Sequence, residues 1–232
     1  MKERKSVWDY FTKGEWTLWL TSVLLVVVSF SLFDRTNYLT LAASLIGVTS
    51  LIFNAKGNPI GQVLMVVFSI LYGIISYSFS YYGEMVTYLG MTMPMAVFAL
   101  VSWLRNPFNG NHAEVEVNSI RSVEVVFMLA LTAVVTVIFY FILAYFHTAN
   151  LLLSTLSVTT SFLAVYLTFR RCSTYALAYA ANDIVLIALW ILASLADRSY
   201  LSVTICFVMF LANDLYGYIN WQKMKKRQKA FR

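Results

Sequence analysis

The sequence has 232 residues, of which 60% are hydrophobic and only 12% charged, and its mean hydropathy is +0.71. A soluble domain carries roughly 45–50% apolar and about 25% charged residues, so the composition excludes a soluble protein and indicates one that crosses a membrane several times. The net charge of +6 then reflects membrane topology, and no nucleic-acid partner is expected.

Eight apolar stretches are long enough to cross a bilayer. A helix rises ~1.5 Å per residue, so about 20 residues span a ~30 Å hydrocarbon layer. A basic leader with Lys2, Arg4 and Lys5 precedes the first stretch, as in a signal peptide, but this stretch is too long and lacks a cleavage site, so we predict a retained helix. The predicted spans are 16–33, 39–55, 58–79, 84–104, 123–146, 150–169, 174–196 and 199–221.

The basic residues predict the orientation of these spans. If both termini are cytoplasmic, all but two of the 17 Lys and Arg residues fall on the cytoplasmic side, and the two exceptions are Arg35 and Arg198. This bias follows the positive-inside rule. A seven-span arrangement would place one basic terminus outside, so we favour eight spans.

The chain also aligns with itself at an offset of 118 residues, which pairs Tyr72 with Trp190 and Trp103 with Trp221. Three spans then match three later spans, and the span between them makes the repeats parallel, which is a transporter architecture. The alternative is a chance match among abundant aromatic residues. We predict an all-α integral membrane protein with an N-terminal helix and a 3+1+3 parallel repeat. The predicted segments are 1–38 (leader and extra helix), 39–105 (repeat 1), 106–149 (loop and linker helix), 150–222 (repeat 2) and 223–232 (basic tail).

Several polar residues lie inside the predicted spans, where a carboxylate costs ~2.5–3.5 kcal/mol and usually marks a transport pathway. Asp183 and Asp214 both sit in an Ala-Asn-Asp tripeptide with a Trp seven residues later, which places each Asp and its Trp on one helix face. Such a face suits a ligand with a flat ring and several hydroxyls. The full set of span residues singled out is Gln62, Asn182, Asp183, Asn213 and Asp214, with Tyr72, Tyr88, Trp190 and Tyr216 as aromatic candidates.

Each of these residues also has a purely structural interpretation. The asparagines are suited to hydrogen bonds between helices, and the two aspartates to buried hydroxyl partners without a ligand. Trp103 and Trp221 are expected in the aromatic belt at the membrane surface, and Glu84 at the N-terminus of its helix, where it stabilises the helix end. Pro94, in the middle of its span, predicts a kink.

Missing motifs disfavour several other functions. The sequence has no P-loop, no HExxH-type metal motif and no GxSxG nucleophile, so no enzymatic activity, metal or cofactor is expected. An intramembrane aspartyl protease needs two facing aspartates, whereas Asp183 and Asp214 are predicted at different depths.

Two sets of residues resemble the PnuC-type vitamin transporters. The first contains Gly61-Gln62, Leu71-Tyr72-Gly73 and Tyr82-Gly83-Glu84; the second contains Asn182, Trp190, Tyr200 and the run from Asn213 to Tyr218. The resemblance covers roughly residues 39–226 and implies a SWEET-like arrangement of two three-helix bundles. Family members often carry a Trp shortly before the position of Asn182, where this chain offers Tyr175 and Tyr179.

The resemblance implies uptake of nicotinamide riboside across a bacterial inner membrane by facilitated diffusion. It further implies trapping by a cytoplasmic kinase and a homo-oligomer, such as a trimer, in contact with membrane lipids. The substrate-binding residues it implies are Gln62, Asn182, Trp190, Asn213 and Tyr216. We add Tyr72 and Asp183, an aromatic and a carboxyl side chain inside the predicted spans. Thiamine or riboflavin as substrate, a proton-coupled carrier using Asp183 or Asp214, and a structural or lipid-handling protein remain alternatives.

Overall fold

The structure, a computed structural model, describes residues 10–78 and 82–231. The leader residues Lys2, Arg4 and Lys5, the C-terminal Arg232 and the last residue of the third predicted span lie outside the described residues.

Eight helices in the described part are long and apolar enough to cross a membrane, as predicted. Each predicted span coincides with one of these helices to within a few residues, except that the last helix continues through the basic tail. The helices are α1 Lys13–Ser29, extended by a π-helical turn Phe30–Asp34, α2 Tyr38–Ala55, α3 Ile60–Ser78, α4 Tyr82–Leu104, α5 Ser122–Tyr145, α6 Leu151–Phe169, α7 Tyr175–Ser194 and α8 Leu201–Ala230.

Local chemistry explains where two of these helices begin or bend. Helix α1 starts with a capping box, in which the Thr12 hydroxyl accepts from the Glu15 N–H and the Glu15 carboxylate accepts from the Thr12 N–H. Helix α4 has a π-helical turn, Tyr88–Thr92, directly before Pro94. Because proline has no N–H to donate, the regular helical ladder is interrupted at this point, where the sequence predicted a kink.

The helix ends define two faces of the molecule. The basic face carries the turns at 56–59 and 170–174, the segment 105–121 and the C-terminal end of α8; the opposite face carries the turns at 35–37, 146–150 and 195–197. On the basic face, β1 (Pro107–Phe108) and β2 (Asn111–Val115) form a short antiparallel hairpin.

Helix packing agrees with a bundle of three helices on either side of a linker. Helix α8 packs on α7, α2 and α1, whereas α2 pairs with α3 and α6 pairs with α7. Helix α5 packs mainly on α6 and leaves most of its apolar side chains uncovered; Val123, for example, is 82% exposed. Such a surface suits contact with lipid, because apolar side chains exposed to lipid tails carry no hydrophobic free-energy cost.

The expected belt position of Trp103 and Trp221 is wrong. Both side chains are fully buried and their rings lie against each other, with centroids 5.4 Å apart. The Trp103 indole N–H donates to the Thr168 carbonyl (2.9 Å), and the Trp221 indole N–H donates to the Asn54 carbonyl (2.8 Å). Each of these carbonyls also accepts from the turn that follows its helix, so each tryptophan adds a second hydrogen bond to the helix end of the other bundle.

The two helix ends that accept these bonds also close in the same way. After α2, Gly57 adopts a left-handed conformation (φ 67°) and its N–H donates to the Asn54 carbonyl; after α6, Arg171 (φ 56°) donates to the Thr168 carbonyl. Both ends form the Schellman motif. These reciprocal contacts support the internal repeat, which stays a prediction.

Candidate functional site

A cavity of about 450 Å³ lies at the opposite face, between the start of α4, the turn that joins α5 to α6, and the end of α7. This volume lies in the range of small-molecule sites. Glu84 and Trp190 lie on its inner wall, with Tyr200 beside them and His147 at the turn.

Aromatic rings continue the cavity toward the middle of the bundle. The Trp190 and Tyr200 rings have centroids 5.5 Å apart, and both border a small adjoining space that Tyr72 also lines. Tyr72 in turn packs on Tyr88, with ring centroids 4.3 Å apart. Tyr72 and Trp190, which the 118-residue offset aligns, therefore border the same space.

A track of polar groups leads inward from the cavity, and we call it the polar track: Glu84, Tyr72, Tyr88, Asp183 and Asp214. Glu84 neighbours Tyr72, Tyr88 lies near both Glu84 and Asp183, and Asp183 faces Asp214. Among the described residues, one buried oxygen each of Tyr72, Glu84, Asp183 and Asp214 lacks a hydrogen bond of ordinary geometry, although Tyr72 lies beside Glu84 and Asp183 faces Asp214. A buried polar group without a hydrogen bond costs roughly 1–3 kcal/mol. The cluster of four such oxygens therefore indicates a place where a ligand or water supplies the missing hydrogen bonds.

The prediction that Asp183 and Asp214 lie at different depths is wrong. Tyr175 packs on Trp221, with ring centroids 4.8 Å apart, near the basic face. From this contact Asp183 lies eight residues along α7 and Asp214 seven residues back along α8. The two helices run antiparallel and rise equally per residue, so the carboxyls reach the same depth. The prediction failed because the depth of Asp214 in the membrane was counted from the end of the apolar stretch. A contact between the two helices gives the correct reference point.

Gln62 and Asn182, both predicted to bind substrate, are held by neighbouring side chains. The Gln62 amide donates to the Asn54 side-chain oxygen (2.8 Å) near the basic face. The Asn182 side-chain oxygen accepts from the hydroxyls of Thr160 (2.9 Å) and Ser157 (3.3 Å) on α6. Neither is among the described residues that line the 450 Å³ cavity.

Asn213 and Tyr216 turn toward the N-terminal helix. The Asn213 amide donates to the Ser22 hydroxyl (3.0 Å) and to the Met209 carbonyl (2.8 Å). The Tyr216 hydroxyl donates to the Glu15 carboxylate (2.9 Å), which also forms an ion pair with Lys56 (2.9 Å). Of the seven predicted site residues, the structure therefore brings Tyr72 and Trp190 to one space and places Asp183 deeper along the polar track, and the other four are bonded elsewhere.

Sequence reasoning gave Glu84 a helix-terminal role and did not select Tyr200. Glu84 does lie in the first turn of α4, but one of its oxygens is buried beside Tyr72. A signal was available, since Glu84 belongs to the Tyr-Gly-Glu run that carried the family resemblance. Tyr200 is likewise among the residues that carried the family resemblance, and the repeat aligns it with Tyr82, another residue that lines the cavity.

The charge distribution limits what the site can bind. The seven predicted spans from 39–55 to 199–221 contain no Lys or Arg, whereas Glu84, Asp183 and Asp214 lie along the polar track. Among the described residues, no group of three or more His, Cys, Asp or Glu side chains is arranged to hold a metal ion. The site therefore offers carboxyls and aromatic faces, a combination that suits a flat cation.

Comparison with known proteins gives concordant results. Residues 37–223 match a family model described as nicotinamide mononucleotide transporter. The chain is 27% identical over 228 residues to a protein from Neisseria mucosa named nicotinamide riboside transporter PnuC, covering 95% of this chain and 87% of that one. A protein of the same name from Haemophilus influenzae is 22% identical over 211 residues and 90% of each chain is covered.

A solved structure supports the same architecture. The crystal structure of a vitamin B3 transporter, PnuC, superimposes with a TM-score of 0.82 at 24% identity, covering 95% of each chain. At this identity the match establishes the fold.

Proposed function

Because this chain belongs to the nicotinamide mononucleotide transporter family, which includes the PnuC-type vitamin transporters, we propose that it carries nicotinamide riboside across a bacterial inner membrane. The observation that carries this choice of substrate is the combination of aromatic rings and the buried Glu84 carboxyl at the 450 Å³ cavity, with Asp183 and Asp214 deeper along the polar track.

The chemistry of nicotinamide riboside fits this site. Its pyridinium ring is flat and positively charged, and stacking on Trp190 or a tyrosine contributes about 0.5–2 kcal/mol. Glu84 at the cavity wall and Asp183 deeper along the polar track offset the ring charge, while hydroxyl and carboxyl oxygens accept from the ribose.

The site favours the riboside over the mononucleotide, the substrate for which the family model is named. A phosphate group carries a charge of about −1.5 to −2 and is bound in proteins by Arg or Lys. The predicted spans from 39–55 to 199–221 contain neither, and three carboxyls along the polar track would repel the phosphate. The mononucleotide is therefore expected to be excluded.

The transport mechanism we propose is uniport by alternating access. With the basic face in the cytoplasm, following the positive-inside rule, a negative-inside potential favours cation entry by ~2.3 kcal/mol per 100 mV without a coupled ion. The π-helical turn before Pro94 in α4 is our candidate hinge, because it lies between Glu84 and the basic face. A cytoplasmic kinase would trap the substrate, and assembly as a homo-oligomer completes the proposal.

Proteoliposomes test this proposal. Labelled nicotinamide riboside should equilibrate across the membrane without ATP or an ion gradient, and unlabelled riboside should compete while its 5′-phosphate should not. Thiamine and riboflavin serve as competitors in parallel, and stronger competition by either would reassign the substrate. If none of the three vitamins raises the melting temperature of the purified protein, a structural or lipid-handling role would replace transport.

The contact between Asp183 and Asp214 favours a second candidate, a proton-coupled carrier. Two carboxyls in contact away from water readily exchange and share a proton. In this mechanism an inward proton gradient, with the potential clamped, drives accumulation above equilibrium, and Asp183→Asn or Asp214→Asn abolishes it. The exposed Asp197, replaced by Asn, is the matched control. Equilibration alone under the same gradient would exclude this candidate.

A further inference from the structure

A second cavity, of about 270 Å³, lies on the basic face, remote from the polar track. Three parts of the chain enclose it: the segment 116–119 after the hairpin, Arg171 in the turn between α6 and α7, and the last turns of α8 with Lys225 and Lys229. Its charged lining comprises Arg171, Lys225, Lys229 and one acidic residue, Glu116. The formal charge of this lining is therefore positive.

The walls of this cavity are fixed by hydrogen bonds. The buried Gln228 side chain accepts from the Val117 N–H (2.7 Å) and donates to the Val115 carbonyl (3.0 Å), which ties the segment to α8. The Asn118 N–H donates to the Arg171 carbonyl (2.9 Å), which ties the segment to the turn. Hydrogen bonds therefore hold the walls of the cavity in place, and its basic side chains extend from backbone that these bonds restrain.

Arg171 differs from the other arginines around it. Arg170 is paired with Glu124 (3.0 Å) and Arg227 is paired with Glu114. By contrast, Arg171 Nε and Nη1 are buried, and neither has a hydrogen-bond partner in the described part of the chain. Burial lowers the pKa of Arg171, Glu116 raises it, and neighbouring Arg170 lowers it further. Two of the three guanidinium nitrogens of this cavity-lining arginine therefore have no hydrogen-bond acceptor among the described residues.

The backbone conformation at Arg171 is also unusual for an arginine. Arg171 is in the left-handed region, where a side chain is disfavoured, and the equivalent position after α2 is Gly57. The chain thus carries an arginine where the fold itself favours glycine. Lys225 and Lys229 lie four residues apart on α8, which places both ammonium groups on the same side of the cavity.

We propose that this cavity binds a phosphate group, presented either by a soluble phosphate compound or by the head group of an acidic lipid. A planar guanidinium donates two parallel hydrogen bonds to phosphate oxygens, and ammonium groups beside it add charge. Three cations against Glu116 match a phosphate charge of about −1.5 to −2. This site is independent of the proposed transport site, so neither proposal depends on the other.

Thermal unfolding of the purified full-length protein in an uncharged detergent tests the proposal. Inorganic phosphate, compared with chloride at equal ionic strength, should raise the melting temperature by about 2–4 °C. In a second arm, phosphatidylglycerol is compared with phosphatidylcholine in mixed micelles. A shift with phosphate alone identifies a soluble source, and a shift with phosphatidylglycerol alone identifies a lipid source.

Three variants separate binding from general charge effects. Lys225→Gln/Lys229→Gln and, separately, Arg171→Gly should abolish the shift and weaken binding roughly tenfold or more. Arg171→Gly is chosen because glycine suits the left-handed backbone, so loss of the shift cannot be attributed to a misfolded turn. The control Lys223→Gln/Lys226→Gln removes two exposed charges from the same helix outside the cavity lining and should keep the shift. No shift with either probe, or an equal loss in the control, would overturn the proposal.

Discussion

At the scale of single residues, Trp190 is the side chain that links the cavity to the bundle interior. Its ring borders both the 450 Å³ cavity and the adjoining space lined by Tyr72, and it packs on Tyr200. A cation that enters from the opposite face therefore meets this ring before it reaches Asp183.

We predict that Trp190→Ala weakens nicotinamide riboside binding by about tenfold, which is the loss of one cation–π contact. Trp190→Phe retains an aromatic face and should bind within about threefold of the unmodified protein. Titration of each purified variant with nicotinamide riboside measures its dissociation constant. Unchanged affinity in Trp190→Ala would exclude this ring from the substrate site.

Glu15 is a buried carboxylate whose partners come from three helices or their flanking turns. It is 2% exposed and accepts from Lys56, Tyr216 and the Thr12 N–H. We predict that Glu15→Gln lowers the free energy of unfolding by about 3 kcal/mol, because Lys56 is then left without its counter-charge. Glu114→Gln, which breaks a more exposed pair with Arg227, should cost less than about 1 kcal/mol. Similar melting temperatures for the two variants would contradict this prediction.

Tyr216 provides a test between its predicted substrate role and its observed contact with Glu15. From the contact we predict that Tyr216→Phe loses about 1 kcal/mol of stability, the contribution of one hydrogen bond, and keeps the KM for uptake. Melting curves and uptake kinetics on the same preparation decide the matter. A raised KM with unchanged melting would instead support substrate binding by Tyr216.

At the scale of elements, two helical glycines illustrate how closely the helices pack. A Cβ added at Gly61 would lie 2.7 Å from the Asn54 backbone nitrogen, whereas one at Gly90 would meet nothing closer than 3.8 Å. We predict that Gly61→Ala destabilises the protein by more than about 1 kcal/mol, because rigid backbone must move. Gly90→Ala should be neutral or stabilise it by up to about 1 kcal/mol. Melting temperatures in the reverse order would refute the packing of α2 on α3.

The sequence was sufficient to predict the helices but not how they meet. Apolar length alone located all eight spans, because a membrane accepts few other structures. The burial of Trp103 and the depth of Asp214 depend on which helix lies opposite, and hydropathy carries no such information. Asp183 was selected because a charge inside a span is rare and costly, and Trp190 because it lies seven residues later on the same helix face; both stay predictions. Asn213 and Gln62 have the same side-chain chemistry whether they bind a ligand or a neighbouring helix.

At the scale of the whole molecule, the two faces differ in charge and in the cavities they carry. The opposite face opens toward aromatic rings and carboxyls, and the basic face holds Arg171, Lys225 and Lys229 around a second cavity. Between them, Trp103 and Trp221 join the two bundles through reciprocal bonds to helix ends. This contact lies near the basic face, and in the proposed alternating-access mechanism it corresponds to a pathway that is closed on the basic side.

The central claim is that carboxyls beside aromatic rings recognise the positive charge of a flat ring. Calorimetric titration with nicotinamide riboside and with its reduced, uncharged dihydro form tests this claim most directly, because the two compounds share the ribose and the carboxamide. We predict that the oxidised, cationic form binds at least about tenfold more tightly. Equal affinity for the two forms, or tighter binding of the reduced one, would contradict it.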